Sequence, residues 1–382
     1  MKNVKFDFAQ FKIDGERFLN SLVQELAAKN VHLDSMNCDH LCFRVANSTE
    51  YEFYKSGLLN SGQLLTEAIV NGRPICTFSL HELFETDHHL VRLVELPYPK
   101  IGTDYESGFE HAEFILNQCF ESFSAQFPDL DFKLSGNPNL NPELCLKLGS
   151  KQVKFHHQPL NRVIEIENAE LTDIIFDFDG TIIQSRENIY EINRIVFSQA
   201  ADREISREES IGKFHTEFSK LFEAFEVTCQ TRKQQAIESW GNVSSQFSYQ
   251  LFDDILEILH RLHKKNVRLH LWTARDEISA RKILGEHDIE HVFTTLSFAN
   301  EIDSKPHSNS LKFDWKSAAK NKVIVIGDST SDVHGAKNIG AISASALWDP
   351  YARKSPLIAA GTDLFFHQVK ELDQWLSTKL NL

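Results

Sequence analysis

Three short apolar runs, "DIIF", "VRLHLW" and "KVIVIG", beginning at Asp173, Val267 and Lys322, restrict the fold of this chain more than any other feature. Each reads as a buried strand, and long helical stretches such as "DDILEILHRLHKKN" stand between them. Apolar strands alternating with helices predict a parallel sheet wrapped by helices, an α/β arrangement. Every run also ends in polar chemistry. Asp177 and Asp179 close "DIIFDFDGT", Thr273 closes "VRLHLWTAR", and Asp328 and Asp332 close "KVIVIGDSTSD". In open α/β sheets ligands bind beyond the carboxyl ends of the strands, so these groups are expected to converge on one crevice. Gly180 supplies the sharp exit from the first strand, and Lys305 in "DSKPHS" is the cation placed to reach the crevice.

Two aspartates one residue apart at a strand end repel each other and lose hydration. The arrangement is costly unless a cation or a proton compensates it. Magnesium suits such a place, because it prefers a few carboxylates, waters and a substrate phosphate to an all-protein cage. Asp177 and Asp328 would flank the metal while a phosphate takes the remaining positions. A carboxylate in line with phosphorus can act as a nucleophile and form an aspartyl-phosphate. The second aspartate is then free to protonate the leaving alkoxide and later to activate water. Arg275 and His334 are nearby polar candidates that surface pairing explains equally well.

At 382 residues the chain exceeds one ordinary core, and two or three domains are expected. Basic residues number 40 against 54 acidic ones, a net charge of −14, which argues against nucleic acid or an anionic membrane as partner. A small phosphorylated metabolite remains compatible. No uninterrupted apolar run is long enough to span a bilayer and no secretory signal opens the chain, so the expected location is the cytoplasm. The six cysteines are scattered without a CxxC pair, as for reduced thiols.

The first half has a different texture, placing a boundary between 1–168 and 169–382. It begins with an amphipathic helix around Glu16 to Lys29. Short strand-like runs follow: "DHLCFRV", "RPICTFSL", "LVRLVEL", "HAEFIL" and "KQVKFHH". His40, Glu95, His111 and His156 lie on these runs at intervals of 55, 16 and 45 residues. Two long arms joined by a short link are expected if a module of one strand, one helix and three strands occurs twice, each copy giving two ligands. Such a donor set suits zinc, iron, nickel or manganese. His157, or Glu165 in "NRVIEIEN", could replace His156 under a different strand alignment. Arg44 and Arg73 could meet an anionic ligand, whereas His88 and His89 read as a turn.

"DFDGT", "LWT", "SKP" and "GDSTSD", in this order, resemble the four motifs of the haloacid dehalogenase superfamily. The resemblance implies a Rossmann-like core with Asp177 as nucleophile and Asp179 as general acid and base. It places Thr273, Lys305 and Gly180 on the phosphoryl group, and Asp177, the Asp179 carbonyl, Asp328 and Asp332 around magnesium. "GDSTSDVHGAKNIGA" is similar to the closing motif of phosphoglycolate-phosphatase-like members, and the stretch about 186–250 then corresponds to their α-helical cap. A phosphosugar mutase would use the same aspartates, and a non-catalytic ligand-binding protein is a further alternative. The first half resembles the YecM-like branch of the vicinal oxygen chelate superfamily through "NGRPICTF", "VELPYP", "GFEHAEFIL" and "VKFH". That likeness implies paired βαβββ modules forming a cupped sheet with ligands in the cup. Isomerase, dioxygenase and sensor roles stay open, and so does the oligomeric state.

Overall fold

The computed structural model describes residues 5–70, 72–100, 102, 105–215, 218–299, 305–318 and 321–382. It divides into two units, Met1–Asn168 and Ala169–Leu382. In the first unit, α1 (Phe8–Ala27) starts well before the stretch the amphipathic pattern marks. The reason is a cap: Asp7 accepts a hydrogen bond from the Gln10 amide at 3.1 Å, and Phe11 in the added turns is buried in the core.

Two copies of one module follow. The first comprises β1 (Cys38–Arg44), α2 (Ser48–Leu59), β2 (Gly62–Val70), β3 (Arg73–Glu85) and β4 (Leu90–Pro97). The second comprises β5 (Gly108–Ile115), α3 (Phe120–Ser124), β6 (Lys133–Asn137), β7 (Asn141–Leu148) and β8 (Lys151–His156). They share one eight-stranded sheet of order β2-β3-β4-β1-β5-β8-β7-β6. Each leading strand runs parallel to the last strand of its own module, and β1 meets β5 antiparallel with Leu41 opposite Ala112. The paired βαβββ plan is thus present in the strand order.

Side chains alternate across these strands. Leu41, Phe43, Val94, Leu96, Ala112, Phe114, Val153 and Phe155 join Leu19, Leu22 and Leu26 of α1 in the core. The intervening residues, His40, Glu95, His111, Glu113, Lys154 and His156, are left to the other face. The unit ends in α4 (Leu160–Glu167), which corrects one alternative. Glu165 lies on an exposed helical face beside Arg162 at 3.0 Å, and not on a strand that could aim it at the histidines. Val163, Ile164 and Ile166 are buried, so the apolar positions follow a helical stripe rather than strict alternation.

The second unit contains, in chain order, β9 (Asp173–Phe176), β10 (Ile183–Gln184), α5 (Arg186–Ala201), α6 (Arg207–Gly212), α7 (Phe218–Ala224), α8 (Gln230–Ser244), β11 (Gln250–Leu251) and α9 (Ile255–Lys264). It continues through β12 (Arg268–Trp272), α10 (Glu277–Glu286), β13 (Thr295–Ser297), β14 (Val323–Gly327), α11 (Thr330–Asn338), β15 (Ile342–Ala346), α12 (Lys354–Ala360), β16 (Leu364–Phe366) and α13 (Val369–Leu380). The sheet has six parallel strands in the order β13-β12-β9-β14-β15-β16. Its central strands are buried along nearly their whole length, as their unbroken apolar runs require. Helices α5 to α8 form an insertion with a core of its own, including Ile192, Val196, Phe197, Phe222 and Phe225. The chain enters and leaves it through β10 and β11, an antiparallel ribbon pairing Ile183 with Leu251 and Gln184 with Gln250. No helix among the described residues is long and apolar enough to cross a membrane.

At the start of β9, Asp173 is fully buried and accepts from Arg268 Nε and Nη2 at 2.6 Å each, with His270 Nε2 at 3.0 Å. Burial alone would raise its carboxyl, but the bonds from His270 and Arg268 outweigh that and hold it below the usual range. Asp173→Asn weakens the bond to buried His270, while Arg268, 57% exposed, can turn to water, and we expect about 1–2 kcal/mol of lost stability by urea unfolding. A carboxyl depressed by folding contributes fully above its unfolded value of about 4, and the contribution is lost as pH falls further. The gap between wild type and variant should therefore narrow in acid.

Candidate functional site

The carboxyl ends of β9, β12 and β14 gather the polar groups of the second unit. Strand β9 stops at Phe176, and the Asp177 amide continues the ladder by donating to the Ile326 carbonyl at 2.8 Å. Asp177, Asp328 and Asp332 are buried, with one oxygen of each within 4.8 Å of the others. Lys305 spans two of them, its Nζ donating to Asp177 Oδ1 and to Asp332 Oδ1 at 2.6 Å each. Burial pushes the Asp177 carboxyl well above the usual range, Asp332 and Asp328 add to it, and Lys305 opposes. Asp328 is pushed up to about 6 by burial, with the Arg186 guanidinium opposing. Carboxylates raised in this way need a further cation to stay ionised together.

Two glycines make this density of charge possible. Gly180 has φ +77°, and a Cβ there would overlap Asp328 Oδ2. A Cβ on Gly327 would strike the Asp332 carboxyl group. Asp332 is fixed as the third residue of α11 by a capping box, its Oδ2 accepting from the Ser329 amide at 3.0 Å and Oγ at 2.6 Å. Thr273 is buried and its Oγ1 accepts from the Arg275 amide at 3.0 Å.

Asp179 stands apart from the three clustered carboxylates. Its side chain pairs with Arg275, whose Nε donates to Oδ2 at 3.0 Å while Nη2 takes Oδ1. Burial would raise Asp179, but Arg275 outweighs it and holds the carboxyl low. The surface explanation for Arg275 is overturned: its side chain is 2% exposed and packs on the Tyr249 ring. His334 is exposed. Sequence reasoning missed Arg186, which is buried and donates to Asp328 Oδ2. Its signal was faint, since one arginine after "DGTIIQS" resembles any helix start.

In the first unit, the register places Glu95, Cys42 and His111 in one row across β4, β1 and β5, and His40 and Glu113 in the next. His40, Glu95, His111 and Glu113 each offer a ligand atom within 4.8 Å of the others. His111 Nε2 is 3.1 Å and His40 Nε2 3.4 Å from Glu113 Oε1, with Glu95 Oε2 3.7 Å from His40 Nε2. Glu113 belongs to this group, and His156, the expected fourth ligand, adjoins it with Nε2 3.7 Å from Glu113 Oε2. His156 also groups with Asp39 and His40, and its Nδ1 bonds the Gln158 carbonyl. His157 turns to the Leu116 carbonyl at 2.8 Å and stacks on Phe120. The missed Glu113 was legible: it lies two residues after His111 on the same strand and hence on the same face. Arg44 bonds Glu110 at 3.2 Å and Arg73 bonds the Tyr98 carbonyl at 2.9 Å, so both have partners within the fold. His89 is buried beside a turn, away from these clusters.

Residues 8–138 match the family described as YecM protein, and residues 174–346 match the family described as haloacid dehalogenase-like hydrolase. The chain joins a YecM domain to a haloacid dehalogenase-like hydrolase domain. It is 27% identical to Protein YecM of Escherichia coli (strain K12), spanning 41% of this chain and 92% of that protein. Over the hydrolase domain it is 22% identical to Pyrophosphatase PpaX of Listeria monocytogenes, covering 47% of this chain and 85% of the relative. Phosphoglycolate phosphatase of Synechococcus elongatus is 23% identical over 53% of this chain and 95% of its own length.

Both donor sets fit a metal. In the hydrolase domain three buried carboxylates converge where Gly180 and Gly327 leave no room for a side chain, a hard-oxygen set of the kind magnesium takes. In the YecM domain the ring nitrogens His40 Nε2, His111 Nδ1, His111 Nε2 and His156 Nε2 are buried without a hydrogen-bond partner among the described residues. Unpaired imidazole nitrogens beside two carboxylates suit a borderline transition metal.

Proposed function

We propose that the hydrolase domain, residues 169–382, is a magnesium-dependent phosphatase that releases phosphate from a small phosphomonoester through an aspartyl-phosphate on Asp177. The observation that carries this reading is the cluster of Asp177, Asp328 and Asp332 spanned by Lys305 beyond the ends of parallel strands. Magnesium held by Asp177, the Asp179 carbonyl and Asp328, with Asp332 supporting them, would neutralise the phosphoryl oxygens when bound. Lys305 and Thr273 hold those oxygens and aim phosphorus at Asp177, whose carboxylate attacks while the ester oxygen leaves. Asp179 serves as acid and base once its pairing with Arg275 opens and it has taken up a proton: it gives that proton to the leaving oxygen, then takes one from the water that attacks phosphorus, restoring Asp177. The insertion carried by the β10–β11 ribbon, about residues 186–250, acts as a cap that excludes bulk water and selects the leaving group.

Gly180 belongs to this machinery by geometry. We expect Gly180→Ala to lower kcat/KM at least about tenfold, because an added Cβ displaces the Asp328 carboxylate by about 1 Å. Steady-state kinetics at saturating magnesium measures it. The reading as a whole is tested by phosphate release from a panel including phosphoglycolate, sugar phosphates and inorganic pyrophosphate, with magnesium or with a chelator. Magnesium-dependent release supports it. A folded, magnesium-binding protein that releases phosphate from none of them, or that moves phosphate between positions of a sugar, overturns it.

For the YecM domain, residues 1–168, we propose a divalent transition-metal site made by His40, Glu95, His111 and Glu113, with His156 adjoining it. The buried, unpaired ring nitrogens support this reading. Zinc, iron, nickel and manganese are the candidate ions.

A further inference from the structure

Arg186 is the first residue of α5, a place where a cation opposes the helix dipole. Something nearby must offset that local cost. Its guanidinium donates to Asp328 Oδ2, and its side chain is 10% exposed against 2% for Asp328. From the other side its Cζ lies 4.6 Å from the centroid of the Phe214 ring, in the loop between α6 and α7. One buried side chain therefore touches both the insertion and a carboxylate of the reaction centre.

The other crossing of the ribbon is built alike. Tyr249, just before β11, lies 4.6 Å from Arg275 Cζ, and Arg275 holds Asp179. A shift of the insertion about β10 and β11 would disturb one arginine at each crossing. Arg186 differs in its partner, because Asp328 belongs to the carboxylate cluster that suits a cation. Its guanidinium and a metal ion must share or contest the charge of that side chain. The Arg186 Nε is also buried without a partner among the described residues, so the group is not fully satisfied where it stands. Asp349, 4% exposed, is the other carboxylate acting on it.

We propose that Arg186 is a positioning residue that couples the placement of the helical insertion to cation binding at Asp328. The proposal rests on the reading of this site as a magnesium-dependent phosphatase. Arg186 opposes magnesium at Asp328 through its charge, and it anchors the start of the insertion for turnover. The two roles make opposite demands, which a residue needed only for folding would not show.

The test is calorimetric titration of the full chain with magnesium, beside steady-state phosphate release, for wild type, Arg186→Met, Arg186→Lys and Phe214→Ala. Arg186→Met should bind magnesium at least about fivefold more tightly, because a neighbouring positive charge is gone. Its kcat/KM should nonetheless fall at least about tenfold, chiefly in kcat. Arg186→Lys keeps the charge and should return the magnesium Kd to within about twofold of wild type. Phe214→Ala loosens the insertion's hold on the guanidinium and should lower kcat and also shift the magnesium Kd at least about twofold, because a coupling acts in both directions. Weaker or unchanged magnesium binding in folded Arg186→Met overturns the proposal. Should that variant fail to fold, wild-type kcat in Phe214→Ala does so. A wild-type chain that binds no magnesium, or releases no phosphate, instead defeats the underlying phosphatase reading.

Discussion

Asp177→Asn should abolish phosphate release, lowering kcat by about 10⁴-fold or more, while the protein stays folded. The amide keeps the shape of the carboxylate and can still meet Lys305, whose Nζ is 2.6 Å from Asp177 Oδ1. It cannot attack phosphorus, and it removes one of three carboxylates packed within 4.8 Å. Burial and two neighbouring aspartates already push Asp177 well above the usual carboxyl range. Neutralising it should therefore cost no stability and add some. The combination separates a catalytic from a structural aspartate: thermal unfolding at or above the wild-type temperature, with turnover gone. Steady hydrolysis by the variant would remove Asp177 from the role of nucleophile.

The second large effect belongs to the YecM domain. His111→Ala should weaken metal binding there at least about a hundredfold, because a ligand is lost outright rather than reoriented. The imidazole sits 3.1 Å from Glu113 Oε1, at the meeting of the two central strands β1 and β5. Metal analysis after dialysis against zinc or manganese reads the loss, with Asp328→Asn as the complementary variant that leaves this site intact. Phosphate release should be unchanged in His111→Ala. Equal metal retention by wild type and His111→Ala would show that the histidines serve only to balance Glu113 and Asp39.

The hydrolase domain was legible because its chemistry is tied to strand ends. "DFDGT", "LWT" and "GDSTSD" each follow an apolar run, and the parallel order of β12, β9 and β14 brings those ends together. What the sequence concealed was pairing across long separations. Nothing local says that Arg275 will fold onto Asp179, or Arg186 onto Asp328, because such partners are chosen by packing. Arg275, two residues after Thr273, resembles a surface residue until Tyr249 is seen covering it.

In the YecM domain the repeated module was readable from spacing, since two modules of one design place their leading strands side by side. The fourth ligand was not, because strand register decides it. His156 and Lys154 lie on one face of β8, yet Lys154 is the one opposite Glu113, donating to it at 2.7 Å. That leaves Glu113, not His156, between the two central histidines. Glu165 misled for a related reason: "VIEIE" is readable as alternation over five residues, and only the buried Val163, Ile164 and Ile166 show the helical stripe.

The claim that phosphate passes through Asp177 is tested most directly by acid quench during turnover of a substrate found in the panel, followed by mass spectrometry of the Asp177 peptide. The account predicts a phosphoryl group on that peptide with magnesium present, absent with chelator and absent in Asp177→Asn. Rapid magnesium-dependent turnover with burst kinetics, and no phosphoryl group on any aspartate of this chain, would contradict it.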